Sequence, residues 1–237
     1  MPDKTSPRLA KGHCFFCAKH HLCSEHVQLL ASLPEATQDK LRSTAIHKTL
    51  ERDERLFHRG EAMEVLYIVV SGKIKLHSYD KQGNELIHNI LLDGETIGEE
   101  LFLEHGHYPY EATALEKTNI CGIKDKDFKQ ALDQEPQLRM QLTLELNRKL
   151  KDANTLNLIL LENDAAKRVA AFLLWRGQKL QGDQIELGLD EIASSINLRR
   201  ETVSRKLSEL REAGLIERHG KRKIQITDWE GLKAFSQ

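Results

Sequence analysis

Cys14, Cys17 and Cys23 stand at C-x2-C-x5-C within one short loop, Gly-His-Cys-Phe-Phe-Cys-Ala-Lys-His-His-Leu-Cys (residues 12–23). The x2 spacing lets two thiolates reach one centre from a tight turn, and five further residues suffice to bring a third. Cys121 lies far off in an apolar, strand-like run, Asn119-Ile120-Cys121-Gly122-Ile123. From there a fourth thiolate would tie the loop to the body of a domain. Thiolates so arranged suit zinc or an iron–sulfur cluster. Three-plus-one is common for cubane clusters, whereas zinc sites more often use two close pairs. His13, His20, His21 and His26 keep zinc open, because imidazole is an ordinary zinc ligand. Cys121 alone also reads as a buried core residue. With Pro2, Pro7, Gly12 and few aliphatics, the loop cannot build a core of its own, so something must order it. Four cysteines in an intracellular chain of this length seldom form structural disulfides.

A second chemistry-bearing set lies near the C-terminus. Glu201, Ser204 and Arg205 share one face of a predicted helix over Arg200–Ala213, with Arg200 just before them. Arg forks to guanine O6 and N7, Glu accepts from cytosine N4, and Ser adapts to either. The same spacing permits a Glu201–Arg205 ion pair at i,i+4. A basic hairpin follows over residues 216–226, and its tip, with Lys221 and Arg222, is placed to meet a sugar-phosphate backbone.

Composition narrows the class. The chain is 40% hydrophobic and 30% charged, as a globular protein is. Its formal charge of −1 hides an asymmetry: Ala165–Gln237 carries 14 Lys+Arg against 10 Asp+Glu, and the first 164 residues carry 21 against 26. A basic rear behind an acidic front points to phosphate at the rear. No apolar run reaches membrane length, and Met1–Lys11 lacks the apolar stretch of a signal peptide, so a cytoplasmic location and no membrane partner are expected. There is no nucleophile elbow, phosphate-cradling glycine loop or H-E-x-x-H motif, and His58, His88, His105 and His107 stand singly, so no enzyme is expected.

Elements must position these residues. Leu138, Leu142, Leu146, Leu150, Ala153, Leu156 and Leu160 recur at steps of three and four, the period of one helix face, over Pro136–Leu161. This run reads either as a core helix or as a two-stranded dimer seam, with Lys149 and Asp152 beside the seam weakening it. Asn163 and Asp164 offer a cap for the next helix. Val27–Leu41 is expected as one short helix. Short apolar runs punctuated by Gly60, Gly72, Gly83, Gly94 and Gly98 then predict a β-roll. After it, Ala165–Trp175 reads as an amphipathic helix ended by Gly177. Leu189–Ile196 reads as a helix capped by Asp190, and Asn197 as a left-handed turn. Ile192, Ala193, Ile196, Leu198, Val203 and Leu207 have helix-turn-helix spacing.

A glycine-punctuated strand ladder, a long leucine helix and a C-terminal helix-turn-helix together resemble the cyclic-AMP receptor protein superfamily over nearly the whole chain. The resemblance implies an α+β fold: a cyclic-nucleotide-binding-like β-roll (jelly-roll), a dimerisation helix and a winged helix-turn-helix. The divisions are a cysteine-rich segment at 1–26, the roll at 27–135, the dimerisation helix at 136–162, and the DNA-binding domain at 163–237. Gly98-Glu99-Glu100-Leu101 resembles the segment that precedes a phosphate-pairing Arg in cyclic-nucleotide members. No Arg occurs between Arg59 and Arg139, so no cyclic nucleotide is expected. Cys14, Cys17, Cys23 and Cys121 resemble, one for one, the set of the fumarate and nitrate reduction regulator (FNR) branch. That implies a 4Fe-4S cluster whose oxidation by oxygen breaks up the active homodimer, with nitric oxide as an equal chemical possibility and zinc or thiol sensing as the alternative. The Glu-x-x-Ser-Arg arrangement resembles the same branch, which implies palindromic double-stranded DNA with TTGAT half-sites. Arg200 stands where that branch tends to an apolar residue, leaving the outermost base open. The Asp80-Lys81-Gln82-Gly83-Asn84 turn implies RNA polymerase as a partner, or simply a turn.

Overall fold

A computed structural model describes residues 27–31, 33–99 and 106–237. Pro34 decides the first departure from expectation. A proline lacks the N–H that would continue a helix, and Val27–Leu41 is not one helix. It forms α1 (Gln28–Ala31) and α2 (Glu35–Thr44), with Pro34 as the N-cap residue of α2.

The roll follows as β1 (Ile46–Leu50), β2 (Arg55–Phe57), β3 (Val65–Ser71), β4 (Ile74–Tyr79), β5 (Glu85–Leu91), β6 (Thr96–Ile97), β7 (Glu111–Ala114) and β8 (Thr118–Lys124). They form two sheets, ordered β1-β8-β3-β6 and β2-β7-β4-β5. The five glycines expected at turns all take positive φ. Gly72 is the most constrained, since a Cβ there would lie 2.5 Å from Thr118 Oγ1.

Side chains alternate across β8, as the strand period requires. Ile120 enters a cluster with Phe57, Tyr67, Ile74, Leu91 and Tyr108, in which the Phe57 and Tyr108 rings stack with centroids 3.6 Å apart. Cys121 and Ile123 enter a second cluster with Leu30, Leu41, Ile68 and Phe128. There α1, α2 and α3 (Asp125–Gln134) supply the covering side chains, together with Leu138 at the start of α4 (Pro136–Leu161).

The chain divides into two compact units: Met1–His77 with Asn89–Asn147, and Ser78–His88 with Arg148–Gln237. The division falls within α4, which has 26 residues. The second unit contains α5 (Ala165–Leu180), β9 (Gln184–Glu186), α6 (Leu189–Ser195), α7 (Arg200–Glu212), β10 (Ile216–His219), β11 (Lys223–Ile226) and α8 (Trp229–Ser236). The basic hairpin is present, and β9 extends it to a three-stranded antiparallel sheet ordered β10-β11-β9. Gly177 does not end α5. The helix continues to Leu180 and closes at Gln181 in the left-handed region, φ 51°. Gly177 serves packing instead: a Cβ there would lie 2.6 Å from the Trp229 ring of α8. Among the described residues no helix is long and apolar enough to cross a membrane.

Candidate nucleic-acid interface

The helix-turn-helix is α6, a turn at Asn197 with φ 50°, and α7. Ile192, Ile196, Val203 and Leu207 are buried between the two helices, so the apolar spacing read from the sequence is what closes the motif. Asp164 caps α5 as expected, its side chain accepting from Ala166 N at 2.7 Å and Lys167 N at 3.0 Å. Those backbone bonds hold its carboxyl below the ordinary value. Arg168 ties neighbouring segments together. Its Nε donates to the Glu162 carbonyl at 2.8 Å, just past the end of α4, and its Nη1 to the Ile196 carbonyl at 3.3 Å.

Asp190 is not the cap of α6. The helix starts at Leu189, as expected, but with Gly188 as N-cap residue, and the Glu191 carboxylate reaches back to accept from Gly188 N–H. Asp190 sits in the first turn and pairs with Arg200 of α7. Arg199 precedes α7 without a side-chain cap, leaving the first N–H groups of that helix available to a ligand.

Along α7, Glu201 and Arg205 are exposed and Ser204 is half-buried on the same face. Among the described residues no ion pair joins Glu201 to Arg205, and both side chains are open to solvent. Lys206, beside them, pairs with Glu209 at 2.8 Å. On the hairpin, Lys221 is exposed, while Arg222 turns inward to Glu191 at 2.8 Å. Sequence reasoning missed Glu191, whose only signal was an acidic residue at the third position of a helix.

The leucine helix is more divided than its sequence period suggests. Leu142 packs against the Cys121 cluster, and Leu146, Leu156 and Leu160 are half-buried. Leu150 is 59% exposed, and Ala153 is exposed as well. Met140, Leu144, Leu158 and Leu161, which were not singled out, are also exposed. Asp152 does not stand idle beside a seam: its carboxylate lies 3.2 Å from Lys179 Nζ of α5 and 3.8 Å from Arg148.

Of the four thiolate positions, the structure places Cys121. It is 6% exposed and is held between β1 and β3, opposite His47 on one side and Ile68 on the other. Cys14, Cys17 and Cys23 lie outside the described residues, as do His13, His20, His21 and His26. Val27 is buried in the same cluster as Cys121. Val27 is four positions after Cys23, and a fully extended chain of four steps spans at most about 14 Å. Cys121 therefore offers one nearly buried thiol at this face of β8, within that reach of Cys23. In the roll, Gly98 takes φ 95° and Glu99 is buried against Thr96 Oγ1; Glu100 and Leu101 lie outside the described residues.

Comparison with known proteins finds two family models along the chain. The family model "Cyclic nucleotide-binding domain" matches residues 47–135, and "Crp-like helix-turn-helix domain" matches residues 167–235. The transcriptional activator protein anr of Pseudomonas aeruginosa is 31% identical over 228 residues, covering 93% of this chain and 91% of its own. The fumarate and nitrate reduction regulatory protein of Escherichia coli K12 is 27% identical, covering 88% and 84%. Among solved structures, FixK2 from Bradyrhizobium japonicum superposes with a TM-score of 0.74 at 26% identity, over 82% of this chain and 98% of its own. A β-roll, a long helix and an exposed recognition helix, with such identity running nearly end to end, make the conclusion plain: the chain belongs to the CRP/FNR family of DNA-binding transcription regulators, which are not enzymes.

Proposed function

We propose that this regulator belongs to the FNR branch and responds to oxygen through a 4Fe-4S cluster held by Cys14, Cys17, Cys23 and Cys121. The single observation that carries this reading is Cys121: a nearly buried thiol on a strand paired on both sides, in the cluster that also buries Val27, four residues after Cys23. When bound, such a cluster supplies iron–thiolate bonds that oxygen, or nitric oxide, breaks. The residues of this chain do the rest. Cys121 would fix one corner of the centre to the roll, with Cys14, Cys17 and Cys23 supplying the other three thiolates. The same buried cluster includes Leu138 and Leu142 of α4, so ordering that face bears on how the dimerisation helix, residues 136–162, is presented. A cyclic nucleotide plays no part in this reading. Phe57, Tyr67 and Tyr108 pack together inside the roll of residues 27–135, and no Arg lies between Arg59 and Arg139 to pair with a phosphate.

In the homodimer, the two domains of residues 163–237 read a palindrome of TTGAT half-sites. Arg205 reads guanine, Glu201 accepts from cytosine, and Ser204 and Arg200 contact flanking positions. Lys221 meets the backbone. The Asp80–Asn84 turn, in which Asp80 Oδ1 accepts from Gln82 N and Asn84 N at 2.8 Å, is the proposed contact for RNA polymerase.

Protein purified without air decides the matter. It is expected to be brown and iron-loaded and to bind a TTGAT palindrome, losing colour and binding together on exposure to air. Colourless, iron-free protein that binds equally with and without air overturns the reading, and stoichiometric zinc in place of iron would favour the zinc alternative.

A further inference from the structure

We propose that Arg222 is a positioning residue that locks the wing to the helix-turn-helix, leaving Lys221 as the wing's phosphate contact. This rests on the DNA-binding reading above and refines which cation does what. Arg222 stands at the turn just before β11, and its Nη1 donates to Glu191 Oε1 at 2.8 Å. The Glu191 side chain is 10% exposed and that of Arg222 35%, so the pair is largely shielded from water. The other carboxylate oxygen of Glu191 accepts from Gly188 N–H, at the start of α6. One carboxylate thus joins the wing to the first helix of the motif that presents α7. The junction is close to the backbone: a Cβ on Gly188 would lie 2.6 Å from Glu191 Oε2 and 3.1 Å from Arg222 Nη1, so those side chains would have to shift.

The charges divide accordingly. A nearly buried carboxylate deprived of its cation is costly, so the pair holds its geometry. A guanidinium committed there offers little net charge to a phosphate. Lys223 lies 3.3 Å from Glu186 on the neighbouring strand, in an exposed pair that is weak by comparison. Lys221 is exposed, and among the described residues it forms no ion pair.

The test is a salt series of binding by full-length, anaerobically prepared protein to two duplexes, the TTGAT palindrome and a mixed-sequence DNA. A lost phosphate contact lowers the slope of log affinity against log salt by about 0.9. Lys221→Gln is expected to show that loss on both duplexes. Arg222→Gln is expected to keep the slope and weaken palindrome binding on the order of tenfold. Glu191→Gln should do the same, the double variant should be no worse than either single one, and Arg222→Lys should recover most of the affinity. The proposal is overturned if Arg222→Gln lowers the slope like Lys221→Gln, or if the two single effects multiply. Should wild-type protein not prefer the palindrome, the assignment of bases fails. The slopes on mixed DNA, and the coupling of the two variants in thermal denaturation, would still decide Arg222: coupled midpoints uphold the lock and additive ones sink it.

Discussion

Asp164 shows how one carboxylate sets the start of a helix that carries the reader. Its two backbone bonds favour the ionised form, so its pKa in the folded chain lies below the ordinary value. The stabilisation is therefore complete above the ordinary carboxylate pKa and is lost as pH falls through the lowered folded value. Asp164→Asn keeps a capping oxygen that does not titrate. It is expected to retain most of the neutral-pH urea midpoint and to flatten its acid limb, whereas Asp164→Ala lowers the midpoint at neutral pH too. Arg205→Ala should cost about 1–3 kcal/mol of affinity at a guanine-containing half-site, read by competition between duplexes that differ at that base. An unchanged base preference would show that Arg205 does not read it. At this scale the sequence was legible wherever a residue's type announces its role locally. Asp164 sits in plain view before an apolar helix. Asp190 was the better-looking cap for α6, yet Gly188 is the N-cap residue, and the carboxylate that reaches back to its N–H and across to the wing is that of Glu191. No local pattern reveals a partner 31 residues away.

Between the two helices of the reader, Asn197 holds a conformation that most side chains resist, φ 50°. Asn197→Gly should leave stability within a few tenths of a kcal/mol, or raise it slightly, while Asn197→Val should cost about 1–3 kcal/mol, since a β-branched residue is strained there. Thermal midpoints compare the pair directly; equal midpoints would mean the turn has relaxed. In α5, Gly177→Val would force Trp229 outward and cost about 1–3 kcal/mol by overpacking. The glycine was misread as a helix end because closeness to α8, Trp229–Ser236, is a tertiary fact. The period of an amphipathic helix cannot tell a glycine that stops a helix from one that admits a neighbour. β3, β4 and β5 of the roll were legible from glycine-punctuated apolar runs, since each turn needs a positive φ. β9 was not, because three residues with Ile185 as the only buried one carry no period.

For the whole molecule, the unfinished business is the apolar surface of α4. Leu150 at 59% exposure, Met140 at 61%, Leu158 at 70% and Leu161 at 74% lie open on a single chain, as expected of a helix that completes its packing on a second copy. Two stripes compete for that role. The one read from the sequence runs through Leu146, Leu150 and Ala153. The other follows a strict 4-3 alternation through Met140, Leu144, Asn147, Lys151, Asn154, Leu158 and Leu161. Its three polar residues at seam positions would lower stability while fixing register. Sequence period could not separate the two, because Leu142 and Leu138 continue the first stripe while facing the Cys121 cluster. Cys121→Ser should remove iron and visible absorption from protein prepared without air, and with them the dimer; an iron-loaded dimeric variant would end the ligand assignment. Leu150→Lys should yield monomer by sedimentation while leaving the absorption intact, since it spares the thiolates and exposes no new core. A tenfold rise in the dimer dissociation constant corresponds to about 1.4 kcal/mol, less than burying one leucine contributes, so the shift should exceed that. If Leu158→Lys dissociates the dimer and Leu150→Lys does not, the seam lies on the second stripe, and Asn147, Lys151 and Asn154 become the residues that keep the two copies ready to part.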